Sequence, residues 1–299
     1  MGANHDHGHA GGRHRWRLAV AFGLVAGFFV VELVAAVVSG SLALRSDAGH
    51  MAADVVALGA ALLATRIATR KDRTGRRTYG SYRVEVFASL LAVTLMLVVA
   101  GSVVIESIRR IGGEAEVAVS AMVVVGGLGL LVNVAALLLL RGGAAESLNV
   151  RGAYLEVVAD TAGSVGVLLA AGLITWTGET LWDVVVALAI GIFVAVRAVM
   201  LGRQVLHVLG QNVPAGMHLG EVARDLAAIS GVLDVHDLHL WTLTSGMNVA
   251  TAHLVTADDT SAHSVLDTAR DVLRERYAIQ HATLQVEPAS HTGCHEIDW

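Results

Sequence analysis

The sequence predicts an α-helical membrane protein, with six transmembrane helices followed by a small cytosolic α+β domain. Three observations predict it. The 299 residues are 55% hydrophobic and only 16% charged, with a mean hydropathy of +0.62, whereas soluble domains are about 25% charged. Six long apolar stretches follow one another with no strand-like alternation. The charge then shifts: from His207 onward 12 Asp and Glu face 4 Lys and Arg, a balance of −8, while the residues before it carry +3. One cysteine, Cys294, excludes an intrachain disulfide. The net charge of −5 argues against a nucleic-acid partner.

A helix needs about 20 mainly apolar residues to cross the hydrocarbon layer. Leu18–Gly40, Ala48–Arg66, Val84–Ile108, Val117–Leu140, Ala153–Trp176 and Leu181–Leu201 meet or approach that length. Six buried soluble helices in succession would need a very large core. The first stretch is longer than the apolar core of a leader peptide and lacks a small-residue cleavage site after it, so it is expected to remain as a helix. Basic residues set the orientation. Arg13, Arg15 and Arg17, the cluster from Arg70 to Arg83, and Arg141 with Arg151 lie on one side; Arg45, Arg109 and Arg110 lie on the other. Both termini are therefore expected in the cytoplasm of a cell with this protein in its plasma (inner) membrane. The expected divisions are a disordered His-rich N-terminus (1–16), a transmembrane domain (17–206), a cytosolic domain (207–290) and a C-terminal tail (291–299).

In the cytosolic part, Val222–Ile229 reads as a helix and Val235–Leu243 as a strand, with Leu238 and Leu240 on one face and His239 and Trp241 on the other. Ser245-Gly246 turns into a second strand, Met247–Thr256. Ser261–Tyr277 has helical spacing, and His281–Glu287 is a third strand. The order αββαβ predicts helices on one face of a three-stranded sheet.

Ionisable groups are costly in hydrocarbon, so each one there is a candidate functional residue. The second stretch holds His50 and Asp54; the fifth holds Glu156 and Asp160. A spacing of four puts each pair on one helix face. If the two faces met, one imidazole and three carboxylates would surround a divalent ion such as Zn²⁺. Without the ion, the three carboxylates would repel one another and take up protons. The seat would then be either protonated or metallated, which couples the two fluxes. Glu32, Glu85 and Asn133 are accessory polar residues, for ion entry or for bonding to the ligands; for Glu85 and Asn133 a helix–helix hydrogen bond is an equal alternative. Asp183 and Glu106, near the helix ends, are expected to be solvated.

Four runs resemble the signatures of the cation diffusion facilitator family: Ser39 to Asp54, Tyr79 to Glu85, Asn149 to Val167, and Val235-His236-Asp237-Leu238-His239-Leu240-Trp241-Thr242-Leu243. The resemblance covers nearly the whole chain. It implies a ferredoxin-like cytosolic domain, homodimers, and export of divalent metal in exchange for protons. In the zinc-selective branch the first residue of the span-five pair is usually His; here it is Glu156. More oxygen donors favour harder ions; Zn²⁺ remains the first expectation, with Cd²⁺, Co²⁺, Fe²⁺ or Mn²⁺ as alternatives. In the cytosolic domain His236, His239, His253 and His281 are candidates for a regulatory metal, with half-exposed strand histidines as the alternative. His5, His7, His9 and His14 form either a metal-collecting arm or a solvated tail. His291, Cys294, His295 and Glu296 match the family poorly.

Moving two charges outward against 100 mV costs about 4.6 kcal/mol, and the sequence has no G-x-x-x-x-G-K-[ST] loop for a nucleotide. A proton gradient is therefore the expected source. Two rival readings are a membrane-embedded metal sensor and an intramembrane metal-dependent hydrolase. Against the hydrolase, no H-E-x-x-H or G-x-S-x-G run occurs, and no general base stands apart from the proposed ligands. A transporter rather than an enzyme is expected, with metal ions, protons and the bilayer as its partners.

Overall fold

A backbone surrounded by hydrocarbon must satisfy its own N–H and C=O groups, so a long apolar stretch folds as a helix. The computed structural model describes residues 15–68, 78–111, 117–144, 148–244, 246–258 and 260–291. Six long helices come first: α1 Arg15–Val38, α2 Leu42–Ala68, α3 Val84–Arg110, α4 Val119–Ala144, α5 Leu148–Thr177 and α6 Leu181–Leu209. Among the described residues, all except α2 are long and apolar enough to cross a membrane. Helix α2 carries Arg45, Asp47, His50 and Asp54 in its first half, which dilutes its hydropathy there. The N-terminal histidines up to His14 and the run from Cys294 to Glu296 lie outside the described residues, as does Ser245.

The chain divides into two compact units, Met1–Leu62 with Ala88–Leu201, and Leu63–Phe87 with Gly202–Trp299. In the first, Leu42, Met51, Met96, Met122, Val167 and Ile190 belong to one buried core. Val34, Leu131, Leu169 and Ile192 stay exposed. So much outward-facing apolar surface suits lipid rather than water.

The start of α2 is tied to α6. Asp183 is fully buried. Its carboxylate accepts the Ser41 hydroxyl at 2.6 Å, the Leu42 N–H at 2.6 Å and the Ala43 N–H at 3.1 Å. These are the N–H groups that the first turn of a helix leaves without partners, so Asp183 caps α2 from another helix. Arg110 of α3 lies 3.9 Å from the same carboxylate and donates to Gly40 C=O at 2.7 Å. The expectation that Asp183 is solvated is therefore wrong: a carboxylate at a helix end is buried when it has backbone donors to cap. Glu106 is one-third exposed and pairs with Arg110 at 3.3 Å.

In the second unit, α7 Leu219–Ala227, β1 Val232–Thr244, β2 Met247–Thr256, α8 Ala262–Tyr277 and β3 His281–Pro288 follow. The sheet order is β1-β2-β3, with β1 antiparallel to β2 and β3 parallel to β2. Val222 and Leu226 of α7 and Val265, Ala269 and Leu273 of α8 are buried in one core with Leu240, Ala250 and Leu254 of the sheet. The expected αββαβ order is present. Ser261 starts α8, its side chain accepting from the Ser264 N–H.

The first strand is not regular. His236 pairs with His253 and His239 with Thr251, so three residues on β1 span two on β2. Asp237, at φ 47°, takes up the extra residue. This is a β-bulge, and it reverses which face each later residue occupies.

Candidate functional site

Between helices α2 and α5, the Asp47 side chain reaches the backbone of α5 at Gly163. A Cβ on Gly163 would fall 2.1 Å from Asp47 Oδ1, so any larger residue there would displace the Asp47 carboxylate. One turn away on each helix, the predicted residues meet. His50 Nε2 lies 3.5 Å from Asp54 Oδ2 and 3.6 Å from Asp160 Oδ1. One donor atom from each residue falls within 4.8 Å of the others. His50 and Asp160 are buried. His50 Nδ1, Asp54 Oδ2 and Asp160 Oδ1 have no hydrogen-bond partner among the described residues. One nitrogen and two oxygens at that spacing fit three positions of a tetrahedral ion.

Glu156, expected as the fourth member, is on the same helix but is otherwise engaged. It forms an ion pair with Arg197 of α6, and its side chain is 43% exposed. Arg197 Nη1 also lies 3.1 Å from His50 Nε2. Arg197 was not singled out in the sequence, although the rule that flagged the other intramembrane charges applies to it. Asp47 was missed as well: it lies just before the second apolar stretch as drawn, three residues from His50. It is buried beside Glu32 of α1. Glu32 Oε2 and both Asp47 oxygens have no hydrogen-bond partner among the described residues. Asn133 donates to Ser164 Oγ at 3.3 Å, the helix–helix bond given as its alternative. Glu85 accepts from the Thr244 hydroxyl at 2.9 Å, within the second unit.

A second cluster lies on the sheet. His253 Nδ1 is 2.8 Å from Glu287 Oε1, and His236 Nε2 is 3.9 Å from Glu287 Oε2. The two imidazoles sit 5.1 Å apart, centre to centre. Again one donor atom from each residue falls within 4.8 Å of the others, and the buried His236 Nε2 has no hydrogen-bond partner among the described residues. Two imidazoles and one carboxylate suit Zn²⁺ with one position left open. The bulge makes this cluster: with unbroken alternation His236 would share a face with Leu238 and Leu240, in the core. His239 and His281 stand outside the cluster. Both are exposed, and His281 packs edge-on to Tyr79 at 5.3 Å. Glu287 was missed because the sequence reading of the strands followed histidines alone.

The helical bundle and the small α+β domain match known families, and these make the chain a metal cation transporter rather than an enzyme. Residues 18–209 match the model of the cation efflux transmembrane domain, and 214–289 that of the cation efflux protein cytoplasmic domain. The chain belongs to the cation efflux family. It is 40% identical to the metal cation efflux system protein CzcD of Cupriavidus metallidurans, over 100% of this chain and 93% of that protein. It is 32% identical to the cadmium, cobalt and zinc/H(+)-K(+) antiporter of Bacillus velezensis, over 96% of this chain and 93% of that one. It is 35% identical to the zinc transporter ZitB of Escherichia coli, over 93% of this chain and 90% of that one. Among solved structures, the metal-bound C-terminal domain of the CzcD transporter matches 24% of this chain and 99% of its own, at 36% identity and a TM-score of 0.23.

Proposed function

We propose that this protein expels Zn²⁺ from the cytosol by metal/proton antiport, and that His50, Asp54, Glu156 and Asp160 hold the ion during transfer. The observation that carries the reading is the meeting of His50 and Asp54 of α2 with Asp160 of α5 at ligand spacing. A dry seat of carboxylates needs a positive partner, and metal or protons supply it in turn. Cd²⁺, Co²⁺, Fe²⁺ and Mn²⁺ are the competing cargoes, because three oxygens soften the preference for zinc. Relatives named as cation efflux, zinc and cadmium–cobalt–zinc transport proteins support the same cargo class.

The protein works as a homodimer in the inner membrane, with both termini cytoplasmic and the boundary of the cytosolic domain near residue 206. A match to a dimer-type cytoplasmic domain supports the assembly, and the basic loops support the orientation. His236, His253 and Glu287 bind a second, regulatory metal.

The test is flux in proteoliposomes carrying a pH-sensitive dye, with and without a potassium gradient. The wild type is expected to move protons when Zn²⁺ is added, and Asp160→Ala to lose that flux. An Asp160→Ala protein exchanging at the normal rate overturns the seat. Metal binding without any flux in the wild type favours the sensor reading.

A further inference from the structure

The sixth apolar stretch carries one basic residue, Arg197. Resting on the reading that His50, Asp54, Glu156 and Asp160 hold the transported ion, we propose that Arg197 is a tethered cation competing with the metal for that seat.

The argument is one of lone pairs. A guanidinium only donates, so at 3.1 Å its Nη1 gives a hydrogen to the bare Nε2 of His50. That Nε2 is the atom facing both Asp54 and Asp160. A metal at the seat needs the same lone pair, so the two cannot share it. The second guanidinium nitrogen pairs with Glu156. Arg197 thus joins two of the four proposed ligands, as a metal would.

The guanidinium is also held from the side. Its carbon lies 5.9 Å from the ring centre of Phe193, one turn earlier on α6. The Phe193 ring meets His50 edge-on at 6.2 Å. An arriving ion must lift Arg197 from His50, which frees Glu156 to close the ligand set. When the ion leaves, Arg197 returns to Glu156, and that carboxylate is never left without a positive partner. Metal affinity is therefore held below what the four ligands alone would give, which favours release.

The experiment is Zn²⁺ titration calorimetry on the full-length protein in nanodiscs, with proteoliposome flux beside it. His253→Ala is the background, so that the sheet cluster does not contribute. Arg197→Met is expected to bind Zn²⁺ about tenfold more tightly, the worth of one hydrogen bond to a charged group. Its maximal flux is expected to fall, because the ion leaves slowly. Arg197→Lys keeps the charge without the planar fork and is expected to fall between the two in affinity. Unchanged or weaker binding by Arg197→Met overturns the proposal. If Arg197→Met does not reconstitute, Arg197→Lys decides: a KM equal to that of the wild type overturns it. Asp160→Ala run alongside is expected to lose seat binding. If it binds as the background does, the seat reading fails, whatever Arg197 does.

Discussion

The two metal-sized clusters use the same residue types in opposite proportions. Between α2 and α5, one imidazole and two carboxylates meet, and His50 and Asp160 are almost completely buried. On the sheet, two imidazoles share one carboxylate, and both histidines remain partly accessible. Oxygen donors bind divalent ions less selectively than imidazoles do, and a dry seat that loses its ion must find another positive charge. The first arrangement suits an ion that comes and goes. The second suits one that stays.

The largest effect should come from breaking the helical cluster alone. Asp54→Ala is expected to cut metal flux roughly a hundredfold or more, since changing even an outer partner of a metal ligand costs 10–100-fold. His253→Ala is expected to spare most of the flux but to remove one bound metal per chain, counted by elemental analysis after dialysis. If both variants lose flux equally, the two clusters are not separate in function.

Next is the anchor that positions α2. Asp183→Ala leaves two backbone donors and a hydroxyl buried without their acceptor, at about 3 kcal/mol. A thermal melt in detergent should show the loss, and a melt matching the wild type would mean that α2 is capped in another way. Smaller again is Glu156→His, which replaces an oxygen ligand by nitrogen and removes the partner of Arg197. It is expected to move the Zn²⁺/Mn²⁺ rate ratio roughly tenfold toward zinc, about 1.4 kcal/mol. An unchanged panel of metals would remove Glu156 from the ligand set and bring the helical cluster down to three residues.

The smallest effect lies away from both clusters. Tyr277 donates its hydroxyl to Asp225 Oδ2 at 2.6 Å, and Arg276 pairs with the same oxygen at 2.6 Å. The Tyr277 hydroxyl, with Arg276 beside it, holds the Asp225 carboxyl below the usual carboxylate range. The stabilisation is present above that range and is lost as pH falls through the lowered value. Tyr277→Phe should therefore lower the melting temperature slightly at pH 7, and the gap should close in strong acid. A gap that persists in acid would point to packing of the ring instead. A normal metal content in this variant would show that the sheet cluster tolerates a looser helix behind it.

The helices were legible because hydrocarbon allows few folds. Once a stretch of some 20 apolar residues is read, the backbone must bond within itself. The i,i+4 pairs on α2 and α5 were legible for the same reason: helical spacing fixes which residues share a face. Asp47 and Arg197 fall under the same rule, yet neither is among the residues it singled out: Asp47 lies just outside the second stretch, and Arg197 lies near the end of the sixth. In the cytosolic domain the strands were visible from alternation, but the position of His236 was not.

By itself the sequence determined the six helices, the αββαβ order, and the faces carrying His50 with Asp54 and Glu156 with Asp160, since these depend on local periodicity and on the cost of charge in lipid. Tertiary structure decided that Asp183 caps α2, that Arg197 and not a neighbouring ligand engages Glu156, and that a bulge at Asp237 turns His236 toward His253 and Glu287. Those outcomes depend on which side chain of one element reaches another, and no spacing along a single element contains that distance.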